Sequence, residues 1–463
     1  MKARFVLFSD VEQERRLPSS TQMMYRPLAC VRVMVVCLIA ILLAVPAPVQ
    51  AYAVLSHEAI IDAVWETHIK PLLLKKFPQA TEEDLSRAQA YAYGGAIIQD
   101  MGYYPYGSPF FSDLTHYIRS GDFIQALLRE AKNLDEYAFA VGGLAHYAAD
   151  NDGHRIGTNR AVPILYPALR KKYGNSVAYE DAKLAHVKTE FGFDVLEIAR
   201  ERYAPDSYHD FIGFEVSRPV LEQAFRDTYG LELKDVLVSE DKALSSYRHD
   251  VSKLIPKATR IAWHLKQDEI KDDIPNATKR KFLFNLSRAN YEHEWGKDYR
   301  RPSPGERFLA FLLKLVPKFG PLKILQFRTP TPQTEQMFEA SFNATLDRYR
   351  GLLTEVREGR LDLPNDNFDV GENTGPGKYR LNDEAHAKLL DRLAENKFAS
   401  ATPEVKAELL DFFAEPDVPY ATKHNAKAWA NVQTQLHQLK SQEVTSRPAN
   451  STPVAMPEKP TAP

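Results

Sequence analysis

Apolar positions recur three and four apart through most of residues 52–270, the spacing of amphipathic helices. The pattern predicts a short first helix over 57–70. Clearer helices follow over 82–98, 121–131, 134–150, 178–201 and 218–228. Thr81 followed by Asp84 has the form of a helix start. Further on, 333–359 reads as a long amphipathic helix, 382–397 as another, and 402–440 as two more, with a loop over 364–380. Alternating β-branched runs are scarce, so no sheet is expected and the fold class is all-α. The stretch 101–111, MGYYPYGSPFF, is a loop rich in Gly, Pro and aromatics. It reads either as a pocket wall or as ordinary loop packing.

The pattern changes at both ends. Residues 34–51 form a charge-free apolar run, preceded by Arg26 and Arg32 and closed by Val49-Gln50-Ala51. This reads as a secretory signal peptide, so 1–51 is expected to be removed and the protein to be secreted or periplasmic. Both cysteines, Cys30 and Cys37, lie in it, which leaves the mature chain without disulfides or thiol ligands. The leader takes six basic and three acidic residues, leaving 53 basic against 58 acidic. That mild acidity does not suggest a nucleic-acid groove. Charge clusters over 271–306, with Pro302-Ser303-Pro304, suggest a boundary. The expected organisation is therefore a domain at 52–270, a helical region of unassigned role at 271–445, and a Pro- and Ser-rich tail at 446–463. The segment 306–327 alternates apolar blocks with Lys314, Lys318 and Lys323. It suits either a core helix pair or a peripheral membrane-surface contact.

Two helical pairs carry the candidate chemistry. His146 and Asp150 lie four apart, with His154 four further on; His186 and Glu190 lie four apart as well. Residues at i and i+4 share a helix face, so each pair aims an imidazole and a carboxylate at one point. Both groups are zinc ligands. Upstream, His57, Asp100 and His116 add three more candidates. Gly153 puts helix continuation to His154 in question. Asp113 and Asp152 read as solvent-facing or outer acids.

The order of these residues resembles the zinc-dependent phospholipase C family, whose helical fold is shared with single-strand nucleases. An aromatic mature N-terminus (here Tyr52) precedes a histidine (His57). An aspartate before a loop follows (Asp100), then a histidine (His116), a helical His-x3-Asp (His146, Asp150), a nearby histidine (His154) and a helical His-x3-Glu (His186, Glu190). The resemblance implies three zinc ions. Asp100, His116, His146 and Asp150 would hold the first; His154, His186 and Glu190 the second. The amino and carbonyl groups of Tyr52, with His57 and Asp150, would hold the third. Asp150 would bridge, and Asp100 would also serve as a catalytic base. Tyr52 departs from the usual tryptophan, and the four-residue step from Asp150 to His154 is shorter than the family pattern.

The resemblance implies a secreted hydrolase that cleaves the glycerol–phosphate bond of a phospholipid. Glu190 favours that branch; the five-residue step from Tyr52 to His57 leans towards the nuclease branch. A secreted single-strand nuclease or nucleotidase, with a base-stacking pocket from Tyr103, Tyr104 and Tyr106, stays open. So does a non-catalytic, metal-stabilised binding protein. No GxSxG, P-loop or GxGxxG pattern offers a competing enzyme class.

Overall fold

The computed structural model describes residues 53–199, 214–251, 324 and 326–442. The leader, Tyr52, most of the Lys-studded segment and the tail lie outside the described residues. The described residues are helical, apart from turns, loops and one isolated antiparallel bridge between Asn367 and Glu372. No described helix is long and apolar enough to cross a membrane.

Eleven helices carry the argument. They are α1 (Val54–Val64), α2 (Glu82–Gly95), α3 (Pro109–Tyr117), α4 (Ser120–Glu130), α5 (Leu134–Asp152) and α6 (Lys183–Ala199). Beyond them lie α7 (Arg218–Tyr229), α8 (Pro332–Glu358), α9 (Arg380–Glu395), α10 (Pro403–Phe412) and α11 (Ala426–Ser441). α1 starts three residues before the expected first helix. A π-helical stretch, Trp65–Ile69, then joins it to a further helix, Lys70–Lys76. α2 begins where the sequence placed it. Thr81 Oγ1 accepts from the Asp84 backbone N–H, and the Asp84 carboxylate accepts from the Thr81 backbone N–H. This closes a capping box and satisfies donors that the helix itself leaves open.

α5 is the central element. It is buried along almost its whole length and packs against α1, α2, α4 and α8. Its approach to α2 is close because the seam is built from small residues. A Cβ added at Gly142 would stand 2.1 Å from the carbonyl oxygen of Ala92. The closeness matters for the site, since it brings the Ala96 carbonyl within reach of a histidine on α5.

The C-terminal helices join the same apolar core, which among the described residues runs from Val54 to Leu439. α8 packs on α5, where the Tyr349 hydroxyl donates to the Val141 carbonyl at 2.9 Å. Phe338 of α8 stacks on Phe193 of α6, with ring centres 4.7 Å apart. α9 packs on α3.

Candidate metal centre

The site residues come from several separate elements. His57 sits on α1. Asp100 lies in a 3-10 turn, Ile98–Tyr103, that ends the α2 run. His116 is in the last turn of α3. His146 and Asp150 share a face of α5, and His186 and Glu190 share a face of α6. His154 falls in a π-helical stretch, Gly153–Thr158, that continues α5 without a break. Gly153 therefore does not end the helix. The wider turn carries the chain past it and leaves His154 buried.

These eight side chains are 0–3 % exposed. They form three groups whose candidate ligand atoms lie within 4.8 Å of one another: His57, His146 and Asp150; Asp100, His116 and His146; and His154, His186 and Glu190. Asp150 divides its oxygens. Oδ1 faces His57 Nε2 at 3.6 Å, while Oδ2 faces His146 Nε2 at 3.2 Å and His116 Nε2 at 3.4 Å. Asp100 Oδ1 faces His116 Nε2 at 3.4 Å. His186 Nδ1 lies 3.6 Å from Glu190 Oε1. Tyr52, expected beside His57, lies outside the described residues.

The set passes a test for metal binding. Both oxygens of Asp100 and of Asp150, His146 Nε2, His154 Nδ1 and His186 Nδ1 are buried and make no hydrogen bond. Buried polar atoms are nearly always satisfied, and so many orphans facing one another suit cations. On His116, His146 and His186 the other ring nitrogen is engaged. His116 Nδ1 is 2.8 Å from the Ser112 carbonyl, His146 Nδ1 is 2.9 Å from the Ala96 carbonyl, and His186 Nε2 is 2.6 Å from the Val177 carbonyl. A ring N–H given to a carbonyl fixes the tautomer and leaves a lone pair on the other nitrogen. Among the described residues the three groups contain only His, Asp and Glu, so their donor set is nitrogen and oxygen, as zinc accepts.

The electrostatics follow from burial and crowding. Burial, followed by the neighbouring His146, presses His57 down to about 3. Burial, with His154, does the same to His186. His154 is lowered as well by burial. Burial also acts to lower His116 and His146, but facing carboxylates outweigh it: Asp100 and Asp150 for His116, Asp150 and then Asp100 for His146. Asp100 is raised by burial. Asp150, despite its burial, is held well below the usual range by His146, His116 and His57.

Residues 56–237 match the model of the zinc dependent phospholipase C family. Over this segment the chain is similar to that family. Searches of curated proteins and of solved structures found no significant match. The family segment holds all eight described candidates, from His57 to Glu190.

Some surroundings of the site differ from expectation. Asp152 is not solvent-facing: it is buried and pairs with Arg155 at 2.8 Å and Arg348 at 3.7 Å. Burial pushes Asp113 up to about 6. Of the three loop tyrosines, only Tyr103 borders the metal centre, its ring edge-on to His116 with centres 6.3 Å apart. Tyr104 is buried against Tyr247, and Tyr106 is half exposed beneath Lys242. The sequence reading also missed Phe368 and Asp369, which come from the loop after α8. The Phe368 ring lies 5.2 Å from His116 and 6.1 Å from His146, and its backbone N–H donates to the His116 carbonyl. Asp369 Oδ1 lies 3.5 Å from His154 Nε2. No motif in the sequence marks either residue.

Proposed function

We propose that the protein is a secreted zinc-dependent phosphodiesterase that hydrolyses the glycerol–phosphate bond of phospholipids. The products would be diacylglycerol and a phosphorylated head group. The observation that carries this reading is the split carboxylate of Asp150, one oxygen facing each of two ligand groups, inside a segment similar to the phospholipase C family. A carboxylate so placed would be able to hold a cation on each oxygen. Neutral imidazole presents a single lone pair, so only a carboxylate serves. Closely paired zinc ions activate a water and clamp the attacking and departing oxygens of an in-line phosphoryl displacement.

The protein's own groups then have distinct tasks. Asp100 Oδ1 is turned to His116 at 3.4 Å, Oδ2 is turned to no histidine among the ion pairs of the described residues, and neither oxygen makes a hydrogen bond. Oδ2 is the atom assigned to take the proton of the attacking water. As the new oxygen–phosphorus bond forms, the bond from phosphorus to the glycerol oxygen breaks, and that oxygen takes up a proton. Phe368 and Tyr103 supply an apolar border at His116. Tyr52, freed by cleavage after Ala51, would add its amino and carbonyl groups beside His57. An additional residue ahead of Tyr52 would convert that amine to an amide and cost one ion.

The nuclease reading is weakened by the tyrosine placement, since Tyr103, Tyr104 and Tyr106 do not form one stacking surface. The test is direct. The mature protein is assayed on a phospholipid panel and on single-stranded DNA, with and without chelator. Chelator-sensitive release of phosphorylated head group well above DNA cleavage is expected. DNA as the better substrate would replace the phospholipase with the nuclease.

A further inference from the structure

Three of the site histidines give one ring nitrogen to a backbone carbonyl: His116 to Ser112, His146 to Ala96 and His186 to Val177. His154 does not. Its Nδ1 is buried without a hydrogen bond, and its Nε2 faces a side chain, the carboxylate of Asp369. Asp369 lies outside the family segment, 215 positions after His154 in the chain.

The structure holds that carboxylate firmly. Oδ2 accepts hydrogen bonds from the Tyr117 and Tyr379 hydroxyls, at 2.7 and 2.5 Å. The Asp369 backbone N–H donates to Asn367 Oδ1, and its carbonyl accepts from Asn159 Nδ2. Asn159 immediately follows the π-helical stretch that carries His154, so one anchor ties the two residues together. The turn is further fixed by Gly371, whose φ of 71° lies in the left-handed region. A Cβ there would also stand 2.4 Å from the Asn151 carbonyl. With Oδ2 occupied, Oδ1 is the oxygen left for His154 Nε2. Their 3.5 Å separation is about half an ångström longer than an ordinary N–H···O bond, so the two groups face each other without a formed hydrogen bond, and the ring would have to turn to make one.

We propose that Asp369 is the positioning residue of the second metal: it takes the Nε2–H of His154, leaving the Nδ1 lone pair for the ion shared with His186 and Glu190. The proposal rests on the zinc-centre reading above and deepens it. A carboxylate behind a ligating histidine fixes its tautomer and raises its basicity.

The test uses the full mature protein and compares wild type with Asp369→Asn. In the variant the two tyrosine hydroxyls still require an acceptor, so they hold the amide oxygen. The NH2 then faces His154 Nε2, which favours the tautomer with its proton on Nδ1. Zinc content and affinity are measured by elemental analysis and chelator competition. One ion of the three should bind roughly 10- to 100-fold more weakly, with the others unchanged. Asp369→Glu should restore part of that loss. Full wild-type stoichiometry and affinity in Asp369→Asn, even with a lowered melting temperature, would overturn the proposal and leave the zinc reading standing. A wild type with fewer than two ions would overturn both. Cobalt-loaded Asp369→Cys supplies a second check. A thiolate-to-cobalt charge-transfer band would put residue 369 on the metal itself and overturn the positioning role. If Asp369→Asn does not fold, Tyr379→Phe carries the test: a few-fold weaker hold on one ion supports the proposal, and unchanged affinity overturns it.

Discussion

The two halves of the centre are held by different means. The group around Asp150 draws His57, Asp100, His116 and His146 from elements within the family segment. Behind it, His116 and His146 lean on the backbone carbonyls of Ser112 and Ala96. The group of His154, His186 and Glu190 is also within the segment, but His154 Nε2 faces, at 3.5 Å, Oδ1 of Asp369, a residue contributed from far along the chain. A carbonyl partner is set by the path of a helix and survives side-chain substitution. A carboxylate partner can be removed by one. The first half should therefore be broken only by changing its ligands or the helix packing, and the second half from a distance.

The largest effect should come from the residue shared by two ligand groups. His146→Ala should remove at least one zinc ion and nearly all turnover, as read by elemental analysis and head-group release. Retention of three ions would show that the first half does not depend on its central imidazole.

Next in size is the contact that ties the C-terminal loop to the first half. Phe368 is fully buried against His116, His146 and Tyr147. Phe368→Ala should cost about 3–5 kcal/mol of stability, measured by denaturant unfolding, while the zinc content stays unchanged. Loss of an ion in the folded variant would mean that both halves depend on the loop.

A smaller loss is expected where α2 meets α5. Gly142→Ala places a methyl group against the Ala92 carbonyl, and the helices must part. The cost should be about 1–3 kcal/mol, with a weaker hold on zinc in the first half through the bond from His146 to Ala96. Zinc loss confined to the second half would reverse the comparison.

The finest discrimination lies at Glu190. Shortening it by one methylene in Glu190→Asp should keep the second ion and slow lipid hydrolysis about tenfold, about 1.4 kcal/mol of transition-state stabilisation. Glu190→Ala should lose both the ion and the activity. Equal rates in wild type and Glu190→Asp would remove Glu190 from substrate selection.

Much of this centre was legible in the sequence, because helical periodicity is a local property. His146 with Asp150, and His186 with Glu190, needed only the i, i+4 rule. Asp100 and His116 were assigned through the order of residues in the family that the chain resembles, and the structure brings them beside His146. His154 was harder, since a glycine before it reads as a helix end, whereas the chain passes it in a π-helical stretch. Asp369 was not legible. It lies in a loop without periodicity, and only tertiary packing of α3, α8 and α9 brings Tyr117, Tyr379 and His154 around it. The all-α class followed from the absence of strand patterning. The packing of α8 on α5 did not, since an amphipathic stripe does not name its partner.

The most direct test of the account is the zinc content of untagged mature protein beginning at Tyr52, measured by elemental analysis after removal of loosely bound metal. The account predicts close to three ions per chain. One ion or fewer would contradict the trinuclear centre on which the proposed hydrolysis depends.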